Sequence, residues 1–245
     1  MKTSIDALLN DFATRSFRDV ADDDYISARL AFRARLIPQF LWASLQALEK
    51  YLKCMLVLNR IRAEPGHDLG KILTAFEKNK HKPFELRLSA PAKKFVKFLD
   101  TYGRHRYFES SWCVMGGEIV DLDRTVWEVR RYARIMRYEF HGKDGSKVNA
   151  LPIELAHNID AESRHPQDFH IMGGRLESIL AEKEHPAREP LVWQNGYFGK
   201  SRRRTVRLRS GLQAGNSPLT LHPELLEEVL KYVWLPGDVE KAYAP

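Results

Sequence analysis

Leu41, Leu45, Leu48, Leu52 and Met55 recur at steps of four, three, four and three. Only a helix gathers those spacings onto one face, so the stretch from Phe40 to about Arg62 must bury that stripe against other elements. The segments around it carry the same signature. Ile5, Leu8, Leu9 and Phe12 share a face of a short helix over residues 4–18, with Ser4 as its N-cap. Asp22, Asp23 and Asp24 supply a further N-terminus, where the helix dipole favours acid. That helix reaches about Leu36, and Pro38 breaks or kinks it. After a turn over residues 64–68, residues 69–78 form a short helix. Another begins at Ser89, with Pro91 in its first turn. Residues 110–120, with Gly116 and Gly117, read as a loop. Leu122, Val126, Val129, Ala133, Met136 and Phe140 then predict one long helix ended by His141 and Gly142.

Short connections between so many helices predict antiparallel packing. The last hundred residues are richer in proline and glycine. Their helical patterns are confined to about 168–184 and 222–234, and short strands are expected at 191–193 and 203–208. The fold expected is mostly α: an antiparallel helical bundle over residues 1–142, then a smaller mixed α+β region over 151–245, divided at 143–150.

Composition narrows the setting. A chain of 245 residues with 44% hydrophobic content can bury a sizeable core, and two cysteines, Cys54 and Cys113, build no disulfide framework. The longest apolar run, Cys54 to Leu58, is too short to span a bilayer, and residues 1–6 hold no signal-peptide stretch. The expectation is a cytoplasmic protein without a membrane partner. The formal charge of +7 is concentrated rather than spread: Lys200, Arg202, Arg203, Arg204, Arg207 and Arg209 lie within ten residues that hold no acid. That run is either a solvated strand edge that discourages aggregation or a phosphate-binding surface, with Trp193, Tyr197 and Phe198 nearby to stack on bases.

Gln46, Ala47, Glu49, Lys50 and Lys53, followed by His67 and Leu69, resemble the HEPN domain family, whose members carry a Gln-Ala-x-Glu-Lys-x-x-Lys helix and then a His-x-Leu helix start. Arg106 and Tyr107 look like the Arg-Tyr pair found after the fourth helix in many members. The resemblance covers about residues 24–141. Steps of three, one and three put Gln46, Glu49, Lys50 and Lys53 on one helix face, which reads as a solvated, internally paired surface or, as the family implies, a contact to nucleotide or RNA.

The resemblance also implies a search for an Arg–His pair. Nuclease members carry one, separated by a few residues, and metal-free RNA cleavage needs a base for the 2′-hydroxyl and a cation near the phosphate. Arg62 with His67 encloses a Pro-Gly turn, and Arg164 with His170 encloses Pro166 beyond the resembling region. Arg134 and His141 are the expected catalytic pair: on a continuous helix they share a face with Arg130 and Arg137, forming a basic stripe. Against this, apolar Ile135 follows the arginine where the family has a polar residue. Glu154 with His157, and Glu182 with His185, have di-iron spacing but flank prolines and read as exposed helix ends. No metal site, phosphate loop or cofactor is expected.

The function expected is an RNA-directed protein, a metal-independent endoribonuclease of the toxin or defence type. The alternatives are a non-catalytic nucleotide- or RNA-binding module and a dimeric protein–protein adaptor. RNA or nucleotide and a second copy of the chain are the expected partners, and no cognate regulatory protein is identified.

Overall fold

The computed structural model describes residues 4–62, 66–104, 109–134, 136–199, 206 and 211–244. Arg106, Tyr107, Lys200, Arg202, Arg203, Arg204, Arg207 and Arg209 lie outside them. Helix α1 (Ile5–Ala13) opens on Ser4, whose Oγ accepts from the Ala7 amide at 3.2 Å. It runs through a π-helical turn (Thr14–Arg18) into α2 (Asp19–Arg33) without a break. The start expected at Asp22 is therefore absent. Asp22 is fully buried inside α2 and holds Arg130, so it serves as an ion-pair partner rather than a cap.

Pro38 stands in the first turn of α3 (Ile37–Leu58), where its missing amide costs nothing. Phe32 packs on Phe40, Asp24 binds Lys50 and Asp22 binds Tyr51, so α2 and α3 run antiparallel. The expected stripe from Leu41 to Met55 is buried throughout, and Phe40, Ala47, Tyr51 and Cys54 bury other faces of the same helix. α4 (Leu69–Lys78) is capped by Asp68, and α5 (Ala90–Tyr102) by Ser89 with Pro91 just inside. Asp100 of α5 accepts from the Leu69 and Gly70 amides, satisfying the first donors of α4 from a neighbouring helix.

β1 (Trp112–Val114) precedes α6 (Glu118–Arg130). The helix expected to continue to Phe140 stops at Arg130. β2 (Glu139–His141) instead pairs antiparallel with β3 (Lys147–Asn149), Phe140 opposite Val148. Two physical reasons account for the difference. Ala133 and Met136 stay buried beyond the helix end, so the apolar period persists without the helix. Between the strands, Asp144 and Gly145, the latter at φ +79°, form a hairpin turn.

α7 (Ala150–Ser163), α8 (Arg175–Ala181) and α9 (Arg188–Val192) follow. The strand expected at 191–193 is thus the end of a short helix, with Leu191 fully buried in the main core. β4 (Gln213–Gly215) returns to pair with β1. α10 (Pro218–Leu221), α11 (Leu226–Val229) and α12 (Gly237–Tyr243) enclose a separate small cluster of Leu219, Leu226, Leu235 and Val239.

The main core runs across the expected divide at 143–150, because Ala161, Leu176, Ile179, Leu180, Leu191 and Phe198 pack into the same cluster as the bundle. Two buried polar networks reinforce the join. Arg130 donates to both oxygens of Asp22 (2.7 and 2.9 Å) and both of Glu177 (2.8 and 2.7 Å). Arg29 binds Asp123 and the carbonyls of Pro190 and Trp193, while Tyr25 donates to Asp123 at 2.6 Å and accepts from Asn195 at 2.8 Å. Each network ties α2 and α6 to residues 175–195.

Candidate nucleic-acid site

Because α6 ends at Arg130, the basic stripe expected along its continuation does not form. Arg130 is 2% exposed and saturated by Asp22 and Glu177. Arg131 is as deeply buried, its guanidinium 4.1 Å from the Trp127 ring centre, with one nitrogen donating to the Asn158 carbonyl at 2.6 Å. Arg134 projects from the turn after α6 and binds Glu154. Arg137 and His141 are exposed, His141 on the β2 strand. His141 lines neither of the cavities that Arg134 lines.

What Arg134 does border is a cavity of about 380 Å³ at the face of α7. Asn149 caps that helix by accepting from the Leu151 amide at 3.0 Å, and Pro166 starts the 3₁₀ turn beyond it. Glu154, His157 and Ala161, at steps of three and four, reach the cavity from one face of α7, and Arg164, the extended residue that ends the helix, joins them. His165 and His170 enter from the turn that follows, and Phe169 lies under the Arg134 guanidinium at 5.8 Å.

At rest both cations are held. Glu154 binds Arg134 and accepts from the Tyr138 hydroxyl at 3.0 Å, a bond that raises the Tyr138 phenol above its usual range. Arg164 binds Asp160 at 2.6 Å. Two arginines and three histidines thus share one recess. Glu154, expected as an exposed helix end, is 8% exposed instead. Among the described residues no group of His, Cys, Asp and Glu is arranged to hold a metal ion.

Two other recesses adjoin this one. Arg134 also lines a cavity of about 270 Å³ with Arg60 and Arg137. Arg60, in left-handed backbone at φ +58°, is tied there to Asp6 and Asn10 of α1. On the other side, Arg164 and His165 form part of a third cavity, of about 400 Å³, with Arg124, Tyr197 and Val206.

The polar row of α3 closes on itself. Glu49, 4% exposed, accepts from Lys53 at 2.6 Å, contacts His67 Nδ1 at 2.7 Å and lies 3.4 Å from the Gln46 amide nitrogen. Lys50 reaches across to Asp24, and Lys53 also donates to the Gly66 carbonyl at 3.3 Å. The row is thus a half-buried clasp holding residues 66–67 and α2 to α3, and it is no fully solvated face. Cys54, also on α3, is buried, and burial pushes its thiol up to about 12, which removes it as a nucleophile.

The cavity at α7 is the constellation that sequence spacing missed. One signal was present: the Arg164–His170 spacing, which Pro166 interrupts, belongs to two residues that line the cavity. The HEPN domain family model matches residues 14–110, a segment that contains the Glu49 clasp and ends before the α7 cavity. The region after residue 110 is unmatched. No curated protein and no solved structure matches the chain.

Proposed function

Taking the HEPN domain at residues 14–110 as the premise, we propose that this chain is an RNA-directed protein that cleaves phosphodiester bonds without metal at the α7 cavity. One observation carries the reading: Arg134 and Arg164 border the same recess as His157, His165 and His170. Arg134 keeps the phosphate-holding role, and a histidine of this recess, rather than His141, is its partner. The chemistry needs no further group. One neutral imidazole takes the 2′-hydroxyl proton as that oxygen attacks phosphorus, and a protonated one gives its proton to the departing 5′-oxygen. The arginines, released from Glu154 and Asp160, neutralise the charge that develops on the non-bridging oxygens.

Degradation of a labelled RNA in chelator tests this. Arg134→Ala and at least one of His157→Ala, His165→Ala and His170→Ala are expected to lower the rate by about 10²–10⁴-fold, with His141→Ala unchanged. Full cleavage by all three histidine variants would sink the site. A toxin or defence role adds that expressing the wild type arrests growth and expressing the inactive variant does not.

The second reading, a binding module without cleavage, is favoured by the carboxylate partners that hold both arginines. Salt-sensitive RNA binding with no cleavage would select it. Neutralising Lys200, Arg202, Arg203, Arg204, Arg207 and Arg209 would then reduce the slope of log affinity against log salt by roughly 0.7–0.9 for each phosphate no longer neutralised. The exposed apolar row of Ile5, Leu8 and Phe12 on α1 supports the homodimer as partner; sedimentation of a Leu8→Glu, Phe12→Glu variant as a monomer checks it.

A further inference from the structure

We propose that the α7 cavity and its neighbour form one continuous track for single-stranded RNA, extending from Arg134 across Arg164 and His165 to Tyr197. The inference rests on the RNA-directed reading and adds the shape and path of the substrate. Arg164 and His165 line both recesses, so the two meet along those side chains and a ligand leaving one enters the other.

The second recess is chemically distinct from the first. Among the described residues its lining holds two arginines, a histidine and a serine, and no carboxylate. An anionic strand therefore meets no repulsive group among the residues that line it. Its wall also carries an aromatic ring in a fixed attitude. Tyr197 is half-buried, its hydroxyl accepts from Arg124 Nε at 2.9 Å, and Trp127 packs behind it with ring centres 6.0 Å apart. A ring braced from behind and at its hydroxyl is a platform on which an unpaired base stacks with little loss of side-chain freedom.

The third element is an apolar wall beside that ring. Val206 lines the same recess and packs over Gly196. The recesses, at about 380 and 400 Å³, each suit a small ligand-sized group rather than a duplex. A single strand with its bases splayed apart fits both.

Fluorescence anisotropy with 5′-labelled oligouridylates of increasing length, on the full chain with cleavage blocked by a 2′-O-methyl backbone, tests the track. Affinity is expected to rise with length and then level off once both recesses are filled. Tyr197→Leu should weaken the longest oligomers by about 5–100-fold, the range of one base–aromatic stack, and leave the dinucleotide unchanged. Tyr197→Phe should keep most of the affinity. Because a substituted platform could disturb folding, the wild type supplies a second measurement: photo-crosslinking of a 4-thiouridine oligomer should label the peptide containing residues 193–199. Length-dependent binding that ignores Tyr197→Leu and gives no crosslink there overturns the track while leaving the RNA reading intact. Failure of every oligomer to bind overturns both.

Discussion

Arg130 and Arg134 stand four residues apart and have opposite fates. Arg130 is enclosed by two carboxylates, so removing it leaves Asp22 and Glu177 buried without a counter-charge. Arg130→Met is expected to cost about 3–5 kcal/mol of folding free energy, read from denaturant unfolding. On the proposed reading Arg134→Met should lower RNA cleavage, and it should cost less folding free energy than Arg130→Met, because Glu154 keeps its bond from the Tyr138 hydroxyl. Glu177 gives the network a pH signature. Burial pushes its carboxyl up, but the charge and hydrogen bonds of Arg130 outweigh that and hold it below the usual carboxylate range. The stabilisation it contributes is complete above its unfolded pKa and is lost as pH falls through the lowered folded value. The stability gap between wild type and Glu177→Gln should therefore be widest near neutrality and close in strong acid; a gap that widens on acidification would refute the pairing. Of the two thiols, only exposed Cys113 should react with a disulfide reagent at neutral pH until the chain is unfolded, when Cys54 joins it.

At the scale of elements, legibility followed locality. α3, α4 and α5 were legible from the Leu41–Met55 stripe, the turn before Leu69 and the Ser89–Pro91 start, and the groups that open them, Pro38, Asp68 and Ser89, act within their own first turns. The end of α6 could not. Its buried period runs on through Ala133 and Met136 although the helix stops at Arg130, and the partners of Arg130, Arg131 and Arg134, at 22, 158, 177 and 154, are distant in sequence. The local clue was the Asp144–Gly145 pair set between Phe140 and Val148, the signature of a hairpin. Gly145 has open space where a Cβ would stand, so only its left-handed backbone resists substitution. Gly145→Val should cost about 1–2 kcal/mol locally and speed amide exchange across residues 139–149 roughly five- to thirty-fold, with the bundle amides unaffected.

At the scale of the molecule, the bundle with a smaller appended region was legible, but its seam was not. The cavity draws on residues 134–172, brought together by α6, α7 and the turn after it, and no spacing rule links segments that meet only after folding. Likewise the segment matching the family leans on residues 175–198 for part of its core, with Tyr25 packed 5.4 Å from Phe198. A fragment ending at residue 142 should bind an apolar dye and unfold at lower denaturant than the full chain; equal stability and no dye binding would argue for an independent bundle. That seam also sets an order on biosynthesis. Asp22 leaves the ribosome 154 positions ahead of Leu176, whose amide it meets at 3.4 Å, an interval on the order of ten seconds at roughly 5–20 residues per second. Tyr51 and Arg130 are made within that interval and can pair with Asp22, but the apolar flank that Leu176 and Ile179 cover stays open until its end. A recess assembled in this order does not exist while the chain is being made, since its walls stand only once residues 134–172 have emerged and docked.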